Sequence, residues 1–221
     1  MPPLISPRWS GAQRRIGLTG GIATGKSSAG RLLAARGLPV LDADQFAREA
    51  LAPGTPGARA VLARYGDTVR RPAGEVVPTG AEQTSAGQEA IDRAALAQIV
   101  FRDATERRWL EQLVHPLVRQ RFAAELDQRG NEAAVVLMIP LLFEAGLEAD
   151  CSEVWLVDCD ATQQLERLMA RDRLNAAEAR ARIAAQWPLA RKRQLADRLI
   201  DNRGGPEALA GQVNEALNLS P

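Results

Sequence analysis

Lysine is almost missing from this sequence: of its 28 basic residues only Lys26 and Lys192 are lysine. Lys26 stands in Gly-Lys-Ser and Lys192 in Arg-Lys-Arg, so the chain has no Asn-Lys-x-Asp element. A regulatory GTPase needs that element to recognise guanine, and this class is therefore excluded. Because the chain otherwise uses arginine for positive charge, a lysine at a motif position indicates a specific role for its ammonium group.

Cysteine and histidine are equally scarce. The chain of 221 residues has two cysteines, Cys151 and Cys159, and one histidine, His115. Two thiols argue against a disulfide framework and are compatible with a reducing cytoplasm. A single histidine without a pair of cysteines offers no zinc site. We therefore expect a cytoplasmic protein without a zinc centre.

Long apolar runs and a strong net charge are also lacking. No run reaches 18 apolar residues, and residues 1 to 13 lack the apolar core of a signal peptide, so we expect a soluble protein with no membrane partner. A formal net charge of +1 gives no global field for nucleic acid. Residues 1 to 13 hold three prolines and show no periodicity, which predicts a flexible tail before one domain at residues 14 to 221.

What the sequence does contain is a phosphate-binding loop. Gly20 and Gly25 flank four residues and are followed by Lys26 and Ser27, which is the G-x-x-x-x-G-K-[ST] spacing of a nucleotide site. Glycine suits a loop that turns its N–H groups around a phosphate, and the next helix points its positive end at the same anion. Lys26 would reach the β- and γ-phosphates, and the Ser27 hydroxyl would help to coordinate Mg²⁺. The residues predicted to bind the nucleotide are Gly21, Ile22, Ala23, Thr24, Gly25, Lys26, Ser27 and Ser28.

Apolar segments predict a parallel sheet around this loop. The strand before the loop and the segment at residues 38 to 42, joined by a helix of about ten residues, form a right-handed βαβ unit. Three further strands are predicted at residues 133 to 139, 154 to 158 and 199 to 201. The expected fold class is therefore α/β with a five-stranded parallel sheet.

Two aspartates follow the second strand at the edge where such sheets bind ligands. If the strand persists, Asp42 and Asp44 point the same way, and one could act as general base while the other holds metal-bound water. Asp44 could instead cap the helix that begins at Gln45. Glu144 adds an acid beyond the 133 to 139 strand, which lies near the same edge, at a helix start or on the surface.

A helical insertion is predicted over about residues 45 to 130. The stretch from residue 91 to 126 has a helical pattern that Pro116 is expected to interrupt, which would leave His115 at a helix end. There His115 could contact an acceptor nucleotide or cap carbonyl groups. Residues 66 to 90 are rich in Gly, Pro, Thr, Ser and Gln and predict an irregular surface loop.

An arginine-rich segment at about residues 170 to 193 predicts a lid. Asn175 and Glu178 form a capped helix start and Pro188 a break, as in a helical hairpin. Its arginines could clamp a transferring phosphoryl group and exclude water, or could form a solvated basic face. An RNA-binding module would need aromatic residues between these charges, and they are lacking.

Several motifs together resemble the dephospho-coenzyme A kinase family, from about residue 14 to 205. They are Gly-Leu-Thr-Gly-Gly-Ile-Ala-Thr-Gly-Lys-Ser at 17 to 27, Leu-Asp-Ala-Asp at 41 to 44, Pro-Gly-Thr-Pro at 53 to 56, His-Pro-Leu-Val at 115 to 118, Ile-Pro-Leu-Leu-Phe-Glu at 139 to 144 and Asp-Arg-Leu-Ile-Asp-Asn at 197 to 202. Ala23 and Ser28 depart from the glycine and threonine that are commoner in the family, and neither changes the loop spacing.

The resemblance implies a three-layer P-loop kinase fold with a helical acceptor-binding insertion and an arginine-rich lid. It implies Mg²⁺- and ATP-dependent phosphorylation of the ribose 3′-hydroxyl of dephospho-coenzyme A, the last step of coenzyme A biosynthesis. Asp44, Lys26 and Arg171 would be catalytic, Asn202 would join the loop in binding ATP, Asp42 could assist Ser27 at the metal, and His115 would contact the acceptor. The alternative is another small-molecule or nucleoside-monophosphate P-loop kinase, since sheet, loop and lid are shared among these enzymes.

Overall fold

The structure is a computed structural model and describes residues 8 to 71 and 90 to 218. Most of the irregular loop predicted at residues 66 to 90 therefore lies outside the described residues. In the described ranges, no helix is long and apolar enough to cross a lipid bilayer. The chain forms two compact units, one of Met1–Ala43 with Leu126–Pro221 and one of Asp44–Glu125.

The first unit is built on a five-stranded parallel sheet, as the sequence predicts. Its strands have the order β2-β3-β1-β4-β5 and pair in parallel throughout. The strands are β1 at Arg14–Gly20, β2 at Val40–Asp42, β3 at Ala134–Met138, β4 at Glu153–Asp158 and β5 at Arg198–Asp201. Parallel pairing brings the carboxyl ends of all five strands to one edge of the sheet.

Alternate residues of the strands pack against helices α1 and α9. Helix α1 covers Lys26–Ala34 and α9 covers Pro206–Asn218. The buried residues of this layer are Ile16, Leu18, Ala29, Leu33, Val136, Met138, Trp155, Val157, Ile200, Leu209, Val213 and Ala216. On the opposite face Gly17 meets Leu142 and Cys151, at 2.8 and 2.7 Å from where its Cβ would lie. Both faces of β1, the central strand, are therefore covered, as expected for a parallel sheet.

A buried carboxylate in β4 is neutralised by side chains of its neighbours. Glu153 is 3% exposed, and its two oxygens accept hydrogen bonds from Arg14 and Arg198 and from the Trp155 indole. A buried charge is tolerated when it is paired and hydrogen-bonded in this way. These hydrogen bonds hold the pKa of Glu153 below its usual value, although burial acts to raise it.

Three helices lie between β4 and β5, in the segment predicted to contain a hairpin. They are α6 at Ala161–Asp172, α7 at Ala176–Ala184 and α8 at Leu189–Leu195. Asn175 and Glu178 form a reciprocal capping box at the start of α7, and Pro188 precedes α8. Both helix-boundary predictions are confirmed.

Residues 8 to 13 make defined contacts, in contrast to the flexible tail predicted over residues 1 to 13. Arg8 pairs with Asp197, and the Trp9 indole donates to the carbonyl of Gln13 at 2.8 Å. Gln13 is 8% exposed and donates to the carbonyl of Arg129 at 2.6 Å. The prediction of a flexible tail is therefore wrong for residues 8 to 13, because partners as distant in sequence as Asp197 and Arg129 leave no local pattern.

The second unit is helical. Its helices are α2 at Ala43–Ala50, α3 at Pro56–Tyr65, α4 at Arg93–Arg102 and most of α5 at Ala104–Gln128. Thr55 caps α3 by accepting from Ala58 N at 3.1 Å, which gives the Pro-Gly-Thr-Pro motif a structural role. The buried core of this unit consists of Ala58, Val61, Leu62, Val69, Ile91 and Leu96.

The expectation that Pro116 interrupts the helical insertion is wrong. Pro116 lies inside α5, which continues to Gln128. Proline removes one backbone hydrogen bond, but buried Val114 before it and Phe122 after it anchor both halves of the helix. His115 is therefore an exposed residue in the middle of a helix, where it cannot cap terminal carbonyl groups.

Candidate active site

The loop between β1 and α1 has the backbone conformation that its glycines predict. Gly25 has φ 101° and precedes α1 as its N-cap, whereas Ala23 adopts a positive φ of 61° although it is not a glycine. A Cβ on Gly20 would lie 2.5 Å from Thr24 Oγ1 and 3.0 Å from Val157 O. Gly20 is therefore required by close packing and Gly25 by its positive φ.

Polar side chains fix the second half of this loop. Thr24 is fully buried and its hydroxyl donates to the carbonyl of Gly21 at 2.9 Å. Asn202, just beyond β5, donates from Nδ2 to the carbonyl of Thr24 at 2.7 Å. A Cβ on Gly25 would lie only 2.0 Å from that Nδ2. The structure thus brings Asn202 into contact with the predicted nucleotide loop.

Helix α1 begins at the two residues expected to meet phosphate and metal. Lys26 is 9% exposed at the first position of α1, and Ser27 beside it is exposed. Ser28 N and Ala29 N both donate to the carbonyl of Gly25, so the first turn is regular. The start of a regular helix attracts anions through its N–H groups and its dipole.

The donors available for Mg²⁺ fit a metal that arrives with phosphate. Ser27 offers an exposed hydroxyl, and Asp42 offers a carboxylate at the carboxyl end of β2. Among residues 8 to 71 and 90 to 218, no group of three or more His, Cys, Asp or Glu side chains is placed to hold a metal. Mg²⁺ usually takes one or two protein oxygens and completes its shell with water and phosphate, which matches this donor set.

The two aspartates after β2 do not share a strand. β2 ends at Asp42 and α2 begins at Ala43, so Asp44 is the second residue of α2. The expectation that both side chains point the same way along a strand is therefore wrong, because the backbone turns into a helix between them. Asp44 also lies past the N-cap position, so the alternative that it caps the helix before Gln45 is wrong as well.

Several cations of the arginine-rich segment pair with nearby acids. Arg171 binds Asp172 at 2.7 Å, which lowers the pKa of Asp172, and Arg182 binds the same carboxylate at 2.9 Å. Arg193 forms two 2.9 Å bonds to Asp158 at the end of β4. These cations thus belong to acid pairs that tie the segment together and to the sheet.

A buried ion pair near the end of β3 was missed by the sequence analysis. Lys192 is fully buried, and its Nζ lies 2.7 Å from Glu144 Oε1. The same oxygen accepts the backbone N–H of Trp187 at 3.0 Å. Glu144, predicted near the sheet edge, at a helix start or on the surface, pairs with Lys192 of the arginine-rich segment. The rarity of lysine, which singled out Lys26, could have singled out Lys192 as well.

Two glutamines also touch the loop without having been predicted. Gln164 of α6 and Gln186 between α7 and α8 both hydrogen-bond to the backbone of Ile22. Gln164 occupies a buried position one turn before buried Leu168, and a polar residue in an apolar helix stripe is a usable signal. Gln186 stands in no such pattern.

A parallel sheet whose first strand runs into a G-x-x-x-x-G-K-S loop and a helix defines a P-loop nucleotide-binding protein. The sequence model of the family described as Dephospho-CoA kinase matches residues 14–207. The chain therefore belongs to the dephospho-CoA kinase family.

Known proteins agree with this assignment. A curated Dephospho-CoA kinase of Synechococcus sp. (strain CC9605) is 63% identical over 210 residues, which are 95% of each chain. A solved protein from Thermus thermophilus is 34% identical, with a TM-score of 0.73 over 96% of this chain and 100% of its own. A solved dephospho-CoA kinase from Campylobacter jejuni is 21% identical, covers 94% of this chain and 97% of its own, and has a TM-score of 0.61, which supports the fold alone.

Proposed function

We propose that the protein transfers the γ-phosphoryl group of ATP to the ribose 3′-hydroxyl of dephospho-coenzyme A and so completes coenzyme A. The observation that carries this proposal is the phosphate loop, held by Asn202 and followed by Lys26 and Ser27 at the start of α1. The family supplies the acceptor, since the residue pattern of the loop is common to many kinases.

The loop binds the triphosphate and offsets its charge. Backbone N–H groups of Ala23 and of residues 25 to 27 surround the phosphates, and the Lys26 ammonium lies against the β- and γ-oxygens as a compact charge. Ser27 and Asp42 would hold Mg²⁺, which when bound would offset charge on the phosphates. Because the charge that develops during transfer is spread over phosphate oxygens, most of the catalysis is positioning and electrostatic stabilisation.

Asp44 acts as the base that takes the proton of the ribose hydroxyl. Asp44 lies in the first turn of α2, two residues after Asp42. Asp42 is the last residue of β2, so the carboxylate of Asp44 closely follows the carboxyl end of that strand in the sequence. A carboxylate suits this role because it needs only to accept a hydrogen bond from the hydroxyl and then its proton. Asp42 would be a ligand of the metal, and Asp44 would accept the proton.

The remaining predicted residues act on either side of the transfer. Arg171 at the end of α6 stabilises the phosphoryl group in transit when it exchanges Asp172 for phosphate, since both offer a guanidinium a pair of anionic oxygens. Asn202 supports the nucleotide through the loop backbone. His115, exposed on α5, contacts the acceptor.

The assignment is tested by acceptor choice with the purified protein. With Mg²⁺ and ATP, we expect ADP formation with dephospho-coenzyme A to exceed that with AMP, CMP or shikimate at equal concentration. Coenzyme A is the matched control, because its 3′-hydroxyl is already phosphorylated and it should accept nothing. Faster transfer to AMP or CMP would instead favour a nucleoside-monophosphate kinase.

A further inference from the structure

The connection between α7 and α8 touches the phosphate loop. Gln186 in this connection accepts a hydrogen bond from the backbone N–H of Ile22, with 2.9 Å between the nitrogen and Oε1. Ile22 stands in the first half of the loop, between Gly21 and Ala23. Because the connection belongs to the segment predicted as a lid, this bond joins that segment directly to the loop.

The carbonyl of Ile22 is held by a second glutamine. Gln164 Nε2 donates to Ile22 O at 2.9 Å, and Gln164 is 4% exposed on α6. The space is tight, since a Cβ on Gly21 would lie 2.6 Å from Gln164 Nε2 and 3.2 Å from Leu189 Cδ2. Both backbone polar groups of Ile22 are thus fixed by side chains that come from the α6 to α8 region.

The residue after Gln186 is hydrogen-bonded to the segment that follows β3. Trp187 N donates to Glu144 Oε1 at 3.0 Å, and the fully buried Lys192 lies 2.7 Å from the same oxygen. A buried lysine paired with a carboxylate leaves little freedom to the backbone around it, because separating the pair would strand a charge away from water. Gln186 therefore reaches the loop from a firmly held connection.

We propose that Gln186 is a positioning residue that presets the phosphate loop for a nucleoside triphosphate. By accepting the Ile22 N–H from a fixed point, it orients the first half of the loop so that the N–H groups of Ala23 and of residues 25 to 27 already face the phosphates. Presetting lowers the ordering cost of binding, so the effect falls on nucleotide affinity. The inference rests on the proposed function only in that the ligand is ATP, and it does not depend on the acceptor.

Replacing Gln186 with leucine removes the acceptor at similar size and tests this role. For Gln186→Leu we expect the Kd of Mg²⁺-ATP, measured by calorimetry, to rise ~5- to 10-fold, as the loss of one hydrogen bond and of presetting implies. The KM for ATP should rise by the same factor, while kcat and the KM for dephospho-coenzyme A stay within ~2-fold. Gln194→Leu, at an exposed glutamine of α8, is the matched control and should bind ATP like the parent.

A parent-like ATP affinity in Gln186→Leu would overturn the proposal, and so would a loss confined to kcat. If the leucine variant does not fold, Gln186→Asn takes its place, because the shorter side chain keeps the amide but its oxygen does not reach the Ile22 N–H. We expect it to melt close to the parent and to bind ATP ~5- to 10-fold more weakly. Parent-like affinity of Gln186→Asn would also overturn the proposal. Should the parent bind ATP but not phosphorylate dephospho-coenzyme A, the proposed function fails while the binding comparison still decides the role of Gln186.

Discussion

At the scale of single residues, Lys26 is the side chain on which phosphate binding depends most directly. Lys26→Ala removes the charge that offsets the transition state, so kcat/KM should fall by at least ~10²-fold, which is about 2.7 kcal/mol of barrier. Lys26→Arg should recover little, because the guanidinium is planar and wider than the ammonium. Steady-state kinetics with both variants is the measurement. Near-parental turnover in either one would mean that this loop is not the catalytic one.

Asp44 and Asp42 are separated by one residue yet belong to different elements, so their roles can be told apart. Asp44→Asn keeps the size of the side chain and removes the base, and turnover should fall ~10²- to 10⁴-fold with little change in melting temperature. Asp42→Asn should act mainly through the metal, raising the Mg²⁺ concentration needed for half-maximal rate. Titrating Mg²⁺ for both variants separates the two effects. A larger turnover loss from Asp42→Asn, with Asp44→Asn unaffected, would reverse the assignment of the base.

Glu106 carries a pH-dependent part of the stability of the helical unit. Hydrogen bonds from Arg64 and Tyr65 lower its pKa from 4.5 to about 2. Because the folded-state pKa is the lower one, this stabilisation is present above about pH 5 and is lost as the pH falls through 4.5 toward 2. Glu106→Gln should therefore melt below the parent at pH 7, and the difference should shrink steadily in acid.

Thermal melts of the Glu106→Gln protein and its parent between pH 7 and pH 3 test this linkage. Glu111→Gln, at an exposed glutamate of the same helix, is the control and should follow the parent more closely across the range. A melting difference for Glu106→Gln that stays constant with pH would show that the carboxyl is not the titrating group responsible.

At the scale of elements, the ion pair between Lys192 and Glu144 joins α8 to the segment that follows β3. Lys192→Met keeps the buried stem but leaves the Glu144 carboxylate without its cation, and we expect the free energy of unfolding to drop by about 3 kcal/mol. Adding Glu144→Gln should recover part of this loss, because the amide oxygen can still accept the Trp187 N–H without carrying a charge.

Urea unfolding of the two single variants and the double variant measures the coupling between these side chains. Arg180→Met, at an exposed arginine of α7, is the control for removing a cation from the same segment and should cost less than about 0.5 kcal/mol. Additive losses in the double variant would contradict the pairing.

At the scale of the whole molecule, the features that could be predicted are those with local signals. The loop spacing, the apolar runs of the strands and the Asn175 capping box each lie within a few residues, and each was found. The bond from Gln186 to Ile22 joins residues 164 apart, and that from Asn202 to Thr24 joins residues 178 apart. These partners meet only in the folded chain, so no local sequence pattern predicts their contact. The prediction at Pro116 was wrong for the opposite reason. A local signal was present, but the packing of α5 outweighs the preference of proline to end a helix.

Because both lysines are buried, chemical modification of their amines can report local unfolding of the chain. Lys26 is 9% exposed and Lys192 is fully buried, and the sequence contains no other lysine. An amine-directed acylating reagent should therefore spare both side chains in the folded protein and modify both after denaturation. Followed by mass spectrometry over time in dilute urea, acylation would report how often each amine becomes accessible. Modification of Lys192 before Lys26 would show that α8 unfolds locally while the start of α1 remains folded.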